Sequence, residues 1–450
     1  MSELIRLKKG LDLPIKGTAL CNVTKTVTPD VVAMKPTDFK GLVPKMLVKE
    51  GDIVKAGTPV FADKQHSDIV FCSPISGTVE SVVRGEKRKL LEVRIKSDGK
   101  NDFARFEVPK PSTLDRAGAV KILLESGLWP CLKQRPYGTI ADPEVTPKSI
   151  FISAMATAPL AADPDFAMES DLAALQAGVE VLSKLTEGGV HFSLSAKNFA
   201  GSELHKLKGV IFHSFDGPHP AGNVGVQINH ISPINKGEFV WTVDLFLVAA
   251  IGRFFNDGIY DVRRKIAVAG PAAVNPSYVE CVPGVCMKEL SEYFCNDKDI
   301  RVISGDVLTG EAVGKEGFLG FYNNQVSVLA EGKYFEMFGW AKPFRLKKFT
   351  FSHTYPSFLL KNKKFEMDTT ENGGQRPFLM NDVYQKVLPM DIYALPLFKA
   401  ILAGDIDKME ALGIYEVIEE DVALCEYVCP SKIDIQQIVR KGIDLMIKEM

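Results

Sequence analysis

Over residues 1 to about 110, apolar and polar positions alternate in short runs broken by glycine and proline, a period of two that predicts strands. The pattern changes at PSTLDRAGAVKILLESGLWP, where Ala117, Val120, Leu123 and Leu124 fall on one helical face. Ser112 or Thr113 is placed to cap that helix, and Asp115 suits its positive end. From there to about 258, continuous apolar runs expected to be buried strands (Ser149 to Ala154, Gly189 to Ser195, Gly209 to His213) alternate with helical stretches (Phe166 to Lys184, Phe239 to Asn256). Such alternation predicts a parallel α/β layer. Arg263 to Gly270, Ile300 to Gly310 and Gln325 to Leu329 read as strands around a short helix at Met287 to Phe294, a β-grasp-like unit. A polar, Lys-rich stretch from Lys361 to Arg376 then reads as a connector. Helical spacing resumes at Asp382, with pieces at Ala400 to Gly404, Lys408 to Leu412 and Ile433 to Ile447. The expected division is 1–110, 111–260, 261–335, a connector at 336–375, and 376–450.

Residues 47 to 83 contain two similar halves. Gly51-Asp52 and Gly57-Thr58-Pro59 punctuate the first, Pro74-Ile75-Ser76-Gly77 the second. Val48, Ile53, Val60, Ile69, Phe71, Val79 and Val82 are positioned to fill a common core. This rhythm resembles the biotinyl/lipoyl hammerhead, a barrel-sandwich hybrid that carries a cofactor on a lysine at a hairpin tip. Here the tip falls near His66, and Lys64 lacks the usual flanking residues. A carrier scaffold without its carrier residue points to docking, with His66 as a candidate partner contact.

Composition narrows the class. A chain of 450 residues predicts about three domains of roughly 100–200 residues each. With 46% hydrophobic residues and a net charge of −2, the chain reads as well cored, without a nucleic-acid footprint. The basic run Arg84 to Lys89 reads as a solvated hairpin. The most apolar stretch, Phe239 to Phe255, is interrupted by Asp244 and Arg253 and is too short to span a bilayer. The opening MSELIRLKKGLDLPIKG lacks the pattern of a signal peptide, so a cytoplasmic setting is expected. Eight scattered cysteines agree with that.

An α/β layer invites a nucleotide, yet there is no G-x-G-x-x-G or Walker pattern. After the first helix stands Gly127-Leu128-Trp129-Pro130, where an indole and a proline obstruct the backbone approach that a pyrophosphate needs. His213, Asp216 and His219 hold metal-capable groups, but Asp216-Gly217-Pro218 is turn chemistry and the spacing defines no ligand set. Cys281, Cys286 and Cys295 lack paired knuckles and read as buried thiols. Cys425-x3-Cys429-Pro430 matches the end of a four-cysteine iron–sulfur run, but the preceding ligand positions hold Glu419 and Val422. That pair reads as a vestigial cluster motif, followed by a helix start near Ser431.

These features occur in an order similar to that of the C subunit of the Rnf electron-transport complex, and the layers are related to the NADH- and flavin-binding subunit of respiratory complex I. The chain most closely resembles the NqrA family, one of the component families of the sodium-translocating NADH:quinone oxidoreductase. The resemblance rests on Leu7-Lys-Lys-Gly-Leu-Asp-Leu-Pro14, Ser126 to Pro130, Gln134-Arg-Pro-Tyr-Gly138, Ala158-Pro-Leu-Ala161, Gly217-Pro-His-Pro-Ala-Gly222 and Cys425 to Pro430. It implies a peripheral subunit on the cytoplasmic face of the bacterial inner membrane, in a complex that oxidises NADH, reduces ubiquinone or a related quinone and exports Na+. NADH, flavins and iron–sulfur centres would belong to other subunits. This chain would dock on the quinone-reactive membrane subunit without a redox cofactor, metal or catalytic residue of its own.

If quinone reaches this chain, it needs an apolar, aromatic-lined cleft with a few polar groups. Trp129, Tyr137, Phe215, His219 and Asn223 are the candidates. An Rnf-type NADH-oxidising subunit and a biotinyl/lipoyl carrier are the alternatives.

Overall fold

The computed structural model describes residues 4–295, 299–333, 337–342, 344–360 and 362–449. The expected boundary at 335–336 and the connector's first residue, Lys361, lie outside them, as does the start of the opening segment, Met1 to Glu3. The hammerhead is built from two antiparallel sheets. One orders its strands Val31–Met34, Leu90–Ser97, Gly77–Arg84 and Ile53–Val54; the other is Pro44–Met46, Pro59–Asp63 and Val70–Cys72. Val60, Phe61, Phe71, Val79 and Ile95 fill the space between them. Ile53, expected in that core, is 82% exposed, and its neighbour Val54 is buried instead. Adjacent strand residues face opposite ways, so a one-residue error in register exchanges core for solvent. The basic run forms the tip joining Gly77–Arg84 to Leu90–Ser97, as a solvated hairpin should.

The α/β layer is a seven-stranded sheet. Leu4–Arg6, Val210–Asp216, Val190–Ser195, Ile150–Ala154 and Val240–Val243 run parallel in that spatial order, followed by antiparallel Leu132–Arg135 and Thr139–Ile140. The stretch expected as one helix from Phe239 splits. Val240–Val243 is a buried strand, and Asp244 caps the helix Leu245–Asp257 by accepting from the Phe246 N–H at 3.0 Å. The polar residue that interrupts the apolar run is thus a helix start. Phe166 to Lys184 also divides, into Pro164–Met168 and Leu172–Leu182. The first helix, Arg116–Glu125, is capped by Asp115, which accepts from Gly118 N–H at 2.8 Å, and not by Ser112 or Thr113, which form a preceding 3-10 turn.

Helices Leu172–Leu182 and Leu245–Asp257 pack unusually closely. A Cβ on Gly252 would lie 1.7 Å from the Ala174 carbonyl oxygen, and one on Gly178 would lie 2.2 Å from that of Val248. Two glycines therefore set that crossing.

The third sheet orders Glu311–Ala312, Ile300–Ser304, Gln325–Ala330, Arg264–Ala269, Ser277–Cys281 and Leu20–Thr26. The expected short helix is a 3-10 segment, Met287–Tyr293. Two pieces of the chain start pair outside the two hammerhead sheets. Leu4–Arg6 extends the α/β sheet beside Val210–Asp216, and Leu20–Thr26 extends the third sheet beside Ser277–Cys281. Each covers an otherwise open sheet edge.

Among the described residues, five α-helices follow the connector: Val383–Val387, Ala394–Ala403, Ile406–Ala411, Ala423–Val428 and Ile435–Glu449. Their core is continuous with Leu7, Tyr137, Phe215 and Val226 of the α/β layer. Ser431 does not cap the last helix; its hydroxyl donates to the Pro377 carbonyl at 3.0 Å.

Candidate functional site

Strand Ile150–Ala154 has Val190–Ser195 on one side and Val240–Val243 on the other, so strand order reverses there. In open parallel sheets the crevice beyond the carboxyl ends of such a pair is the usual ligand site. A cleft of about 370 Å³ opens at that place. Ser153 to Ala156, Ala158, Ala161 and Ala162 at the end of one strand and Thr242 to Phe246 at the end of the other form its floor, with Asn223, Glu420 and the loop Tyr322 to Gln325 as walls. Small side chains at Ala154, Ala156, Ala158, Ala161 and Ala162 keep it open on one side, while Lys133, Asp244, Asp306, Asn324 and Glu420 give the rest of its lining a polar character.

Its charged rim is mostly neutralised internally. Arg135, 2% exposed, donates from Nη1 to Asp421 Oδ2 at 2.7 Å and from Nη2 to Glu420 Oε1. Asn223 Nδ2 donates to the Glu420 carbonyl at 3.0 Å. Burial raises the Asp421 carboxyl to about 6 in spite of Arg135. Asp421 Oδ1 is buried with no hydrogen-bond partner among the described residues. Gly225 makes room for the pair, because a Cβ there would lie 2.2 Å from Arg135 Nη1. Asp244 accepts from Asn324, whose carbonyl oxygen receives Arg264.

Lys133 differs from the other charges. It lines the cleft with its ammonium 3.5 Å from the Tyr322 ring centroid and has no ion-pair partner among the described residues. Burial lowers its pKa. A lone lysine in Leu132-Lys-Gln-Arg135 carries no motif, so nothing local marks it; its setting depends on Tyr322, far along the chain.

Of the five residues expected around such a cleft, Asn223 lines it. Trp129 does not reach it. The indole is fully buried, donates to the Ala141 carbonyl at 2.7 Å and meets Trp241 edge-on. The loop that would have to approach a pyrophosphate is spent on packing: a Cβ on Gly127 would lie 2.4 Å from Cys72 Sγ of the hammerhead, and Pro130 accepts from the Tyr322 hydroxyl. Phe215 and Tyr137 lie in the core shared with the C-terminal helices, Tyr137 against Tyr415. His219 does not line the cleft either. It is 3% exposed, with Nδ1 at 3.2 Å from Thr157 Oγ1, and burial lowers its pKa.

His213 lies within the strand Val210–Asp216, which continues past the expected end, and faces His191 of the adjacent strand, Nε2 to Nδ1 at 2.8 Å. Burial and that neighbour push His191 down to about 4. No group of three or more His, Cys, Asp or Glu among the described residues is placed to hold a metal. Cys425 and Cys429 are buried in the helical core, and Cys429 Sγ lies 3.1 Å from the Tyr384 hydroxyl. Burial pushes the Cys425 thiol up, which disfavours the thiolate that a cluster needs. With Glu419 and Val422 at the preceding spacing, this donor set does not fit a cubane. Cys281 is buried as expected, but Cys286 and Cys295 are only partly so. At the hammerhead tip, Lys64 and His66 are exposed.

Fold and crevice define a multidomain protein in which a barrel-sandwich hybrid and a β-grasp unit flank a doubly wound α/β layer without a phosphate-binding loop. Family models agree: the NqrA N-terminal barrel-sandwich hybrid domain matches residues 5–98, the NqrA second alpha/beta domain 114–260, and the NQRA C-terminal domain, of SLBB type, 265–315. The chain is 39% identical to the NqrA component of the Na(+)-translocating NADH-quinone reductase of Vibrio atlanticus over 451 residues, covering 99% of this chain and 100% of that protein. It is 38% identical to the corresponding protein of Neisseria meningitidis over 450 residues, again covering 99% and 100%. The chain belongs to the NqrA family, whose members are subunits of the Na(+)-translocating NADH-quinone reductase, a translocase. An NAD+-reducing nickel–iron hydrogenase chain shares a TM-score of 0.38 at 12% identity over 76% of this chain and 62% of its own, too loose a likeness to bear on function.

Proposed function

We propose that this chain is a peripheral subunit on the cytoplasmic face of the membrane, in a complex that couples NADH oxidation and quinone reduction to Na+ export. It supports the quinone-reducing end and carries no redox cofactor itself; NADH, flavins and iron–sulfur centres are handled by the other subunits. One observation carries the reading: the switch-point crevice is present, but the loop that would cradle a pyrophosphate is packed against the hammerhead at Gly127. A cleft walled on one side by alanines, with Lys133, Asn223 and Asn324 as donors among a lining that also holds Asp244, Asp306 and Glu420, suits a quinone ring and its carbonyl oxygens better than the phosphates of a dinucleotide. Among the described residues no helix is long and apolar enough to cross a membrane, and on this reading partners such as the quinone-reactive subunit supply the membrane-spanning part. The exposed tip at His66 is one contact surface for them.

Affinity purification from detergent-solubilised membranes should recover the integral-membrane subunits with this chain, and their absence would overturn the assignment. The purified chain should contain neither flavin nor iron in stoichiometric amount. An azido-quinone should label peptides 153–162 and 220–224; labelling confined to membrane partners would remove quinone from this chain. A photo-crosslinker on His66→Cys tests the tip.

A further inference from the structure

Residues 337–364 contain six lysines and one arginine and no acidic residue, in a chain whose net charge is −2. The same stretch holds seven of the twenty-one large apolar side chains exposed among the described residues, including Met337 at 81%, Phe344 at 82% and Leu359 at 67%. An apolar surface rimmed by charge on this scale marks an interaction site.

The stretch is one knot. The Tyr355 hydroxyl accepts from Arg345 Nη1 at 3.3 Å, Ser357 Oγ donates to the Lys348 carbonyl at 2.6 Å, and Lys363 Nζ donates to that of Leu346 at 2.7 Å. It is tied to the chain start by the Phe365 N–H, which donates to the Pro14 carbonyl at 2.7 Å, and by Lys364 Nζ on Thr18 Oγ1. The apolar tips therefore project from an anchored element.

We propose that this knot rests on an anionic lipid bilayer, with Phe344, Phe358 and Leu359 entering the headgroup boundary and the exposed Lys342, Lys347 and Lys364 facing anionic phosphates. Chemistry selects lipid over protein as the occupant. Protein interfaces are enriched in arginine and depleted in lysine, whereas six of the seven basic groups here are lysines interleaved with aromatic residues. Lysine with aromatic side chains, all of one sign of charge, is the pattern of interfacial membrane contact. The inference deepens the peripheral placement proposed above but does not require assembly into a complex.

The test is co-sedimentation of the purified full chain with vesicles of phosphatidylethanolamine containing about one-third phosphatidylglycerol, against neutral phosphatidylcholine vesicles. Binding should favour the anionic vesicles and weaken at high salt. Lys342→Glu with Lys347→Glu, and separately Phe344→Ser with Leu359→Ser, should each weaken it about tenfold with unchanged thermal midpoints. Equal binding to both vesicles, or to neither, would overturn the proposal. So would variants that bind vesicles normally but no longer co-purify with the membrane subunits, since the knot would then be a protein interface. Vesicle binding by a chain that never co-purifies with those subunits would leave this inference standing and remove the proposed function.

Discussion

The crevice rim and the connector knot use charge in opposite ways. At the rim Arg135 is buried between Asp421 and Glu420, which join the α/β layer to the C-terminal helices from 286 and 285 residues away. In the knot, basic side chains lie beside exposed apolar groups, held by a backbone carbonyl at Lys363, a hydroxyl at Lys364 and, at Lys348, by Asp368 at 3.6 Å. Water decides the difference. A charge excluded from water must be matched within the fold, whereas a charge left in water remains available to something outside it.

The severest way to break the contrast is Arg135→Met, which leaves Asp421 buried without its cation. A loss of about 3–5 kcal/mol in urea unfolding is expected at neutral pH. The sign of its pH dependence follows from Asp421. A folded-state carboxyl raised to about 6 binds protons that the unfolded chain has already released, so its contribution to stability falls as pH rises from about 4 through 6. Removing Arg135 raises that carboxyl further, so the variant's deficit should shrink on acidification; a deficit that grows would refute the buried-pair account.

Gly252→Ala forces apart the helices beneath the crevice and should cost about 1–3 kcal/mol. Tolerance of it without loss would mean that the close crossing is not needed. Asp115→Ala should cost about 1 kcal/mol by removing the cap of Arg116–Glu125, while Ser112→Ala leaves stability unchanged. Phe344→Ser should shift stability by no more than about 0.5 kcal/mol in either direction, because the ring is already in water. A larger loss would place that ring in the core and dissolve the contrast.

Much of the fold was legible because strand and helix periods are local. The apolar runs at Ser149 to Ala154 and Gly189 to Ser195 are strands Ile150–Ala154 and Val190–Ser195, and Ile433 to Ile447 lies largely within Ile435–Glu449. Asp244 was visible as a break but not as a cap, because an apolar strand and an apolar helix placed end to end look like one hydrophobic stretch. The site was less legible. Trp129 and Phe215 are aromatic residues near loops in sequence, but whether such a ring lines a cleft or fills a core depends on what packs over it. Here the hammerhead covers one and the C-terminal helices the other.

The sequence by itself determined the local elements, the family, the missing carrier lysine and the incomplete cysteine motif, since each depends on residue identity at short spacing. Tertiary structure alone decided that Leu4–Arg6 and Leu20–Thr26 join separate sheets, that Arg135 meets Asp421, and that Lys133 faces Tyr322 across the crevice. These pairings join residues far apart in the chain, and burial and close packing select the partners that local sequence leaves open.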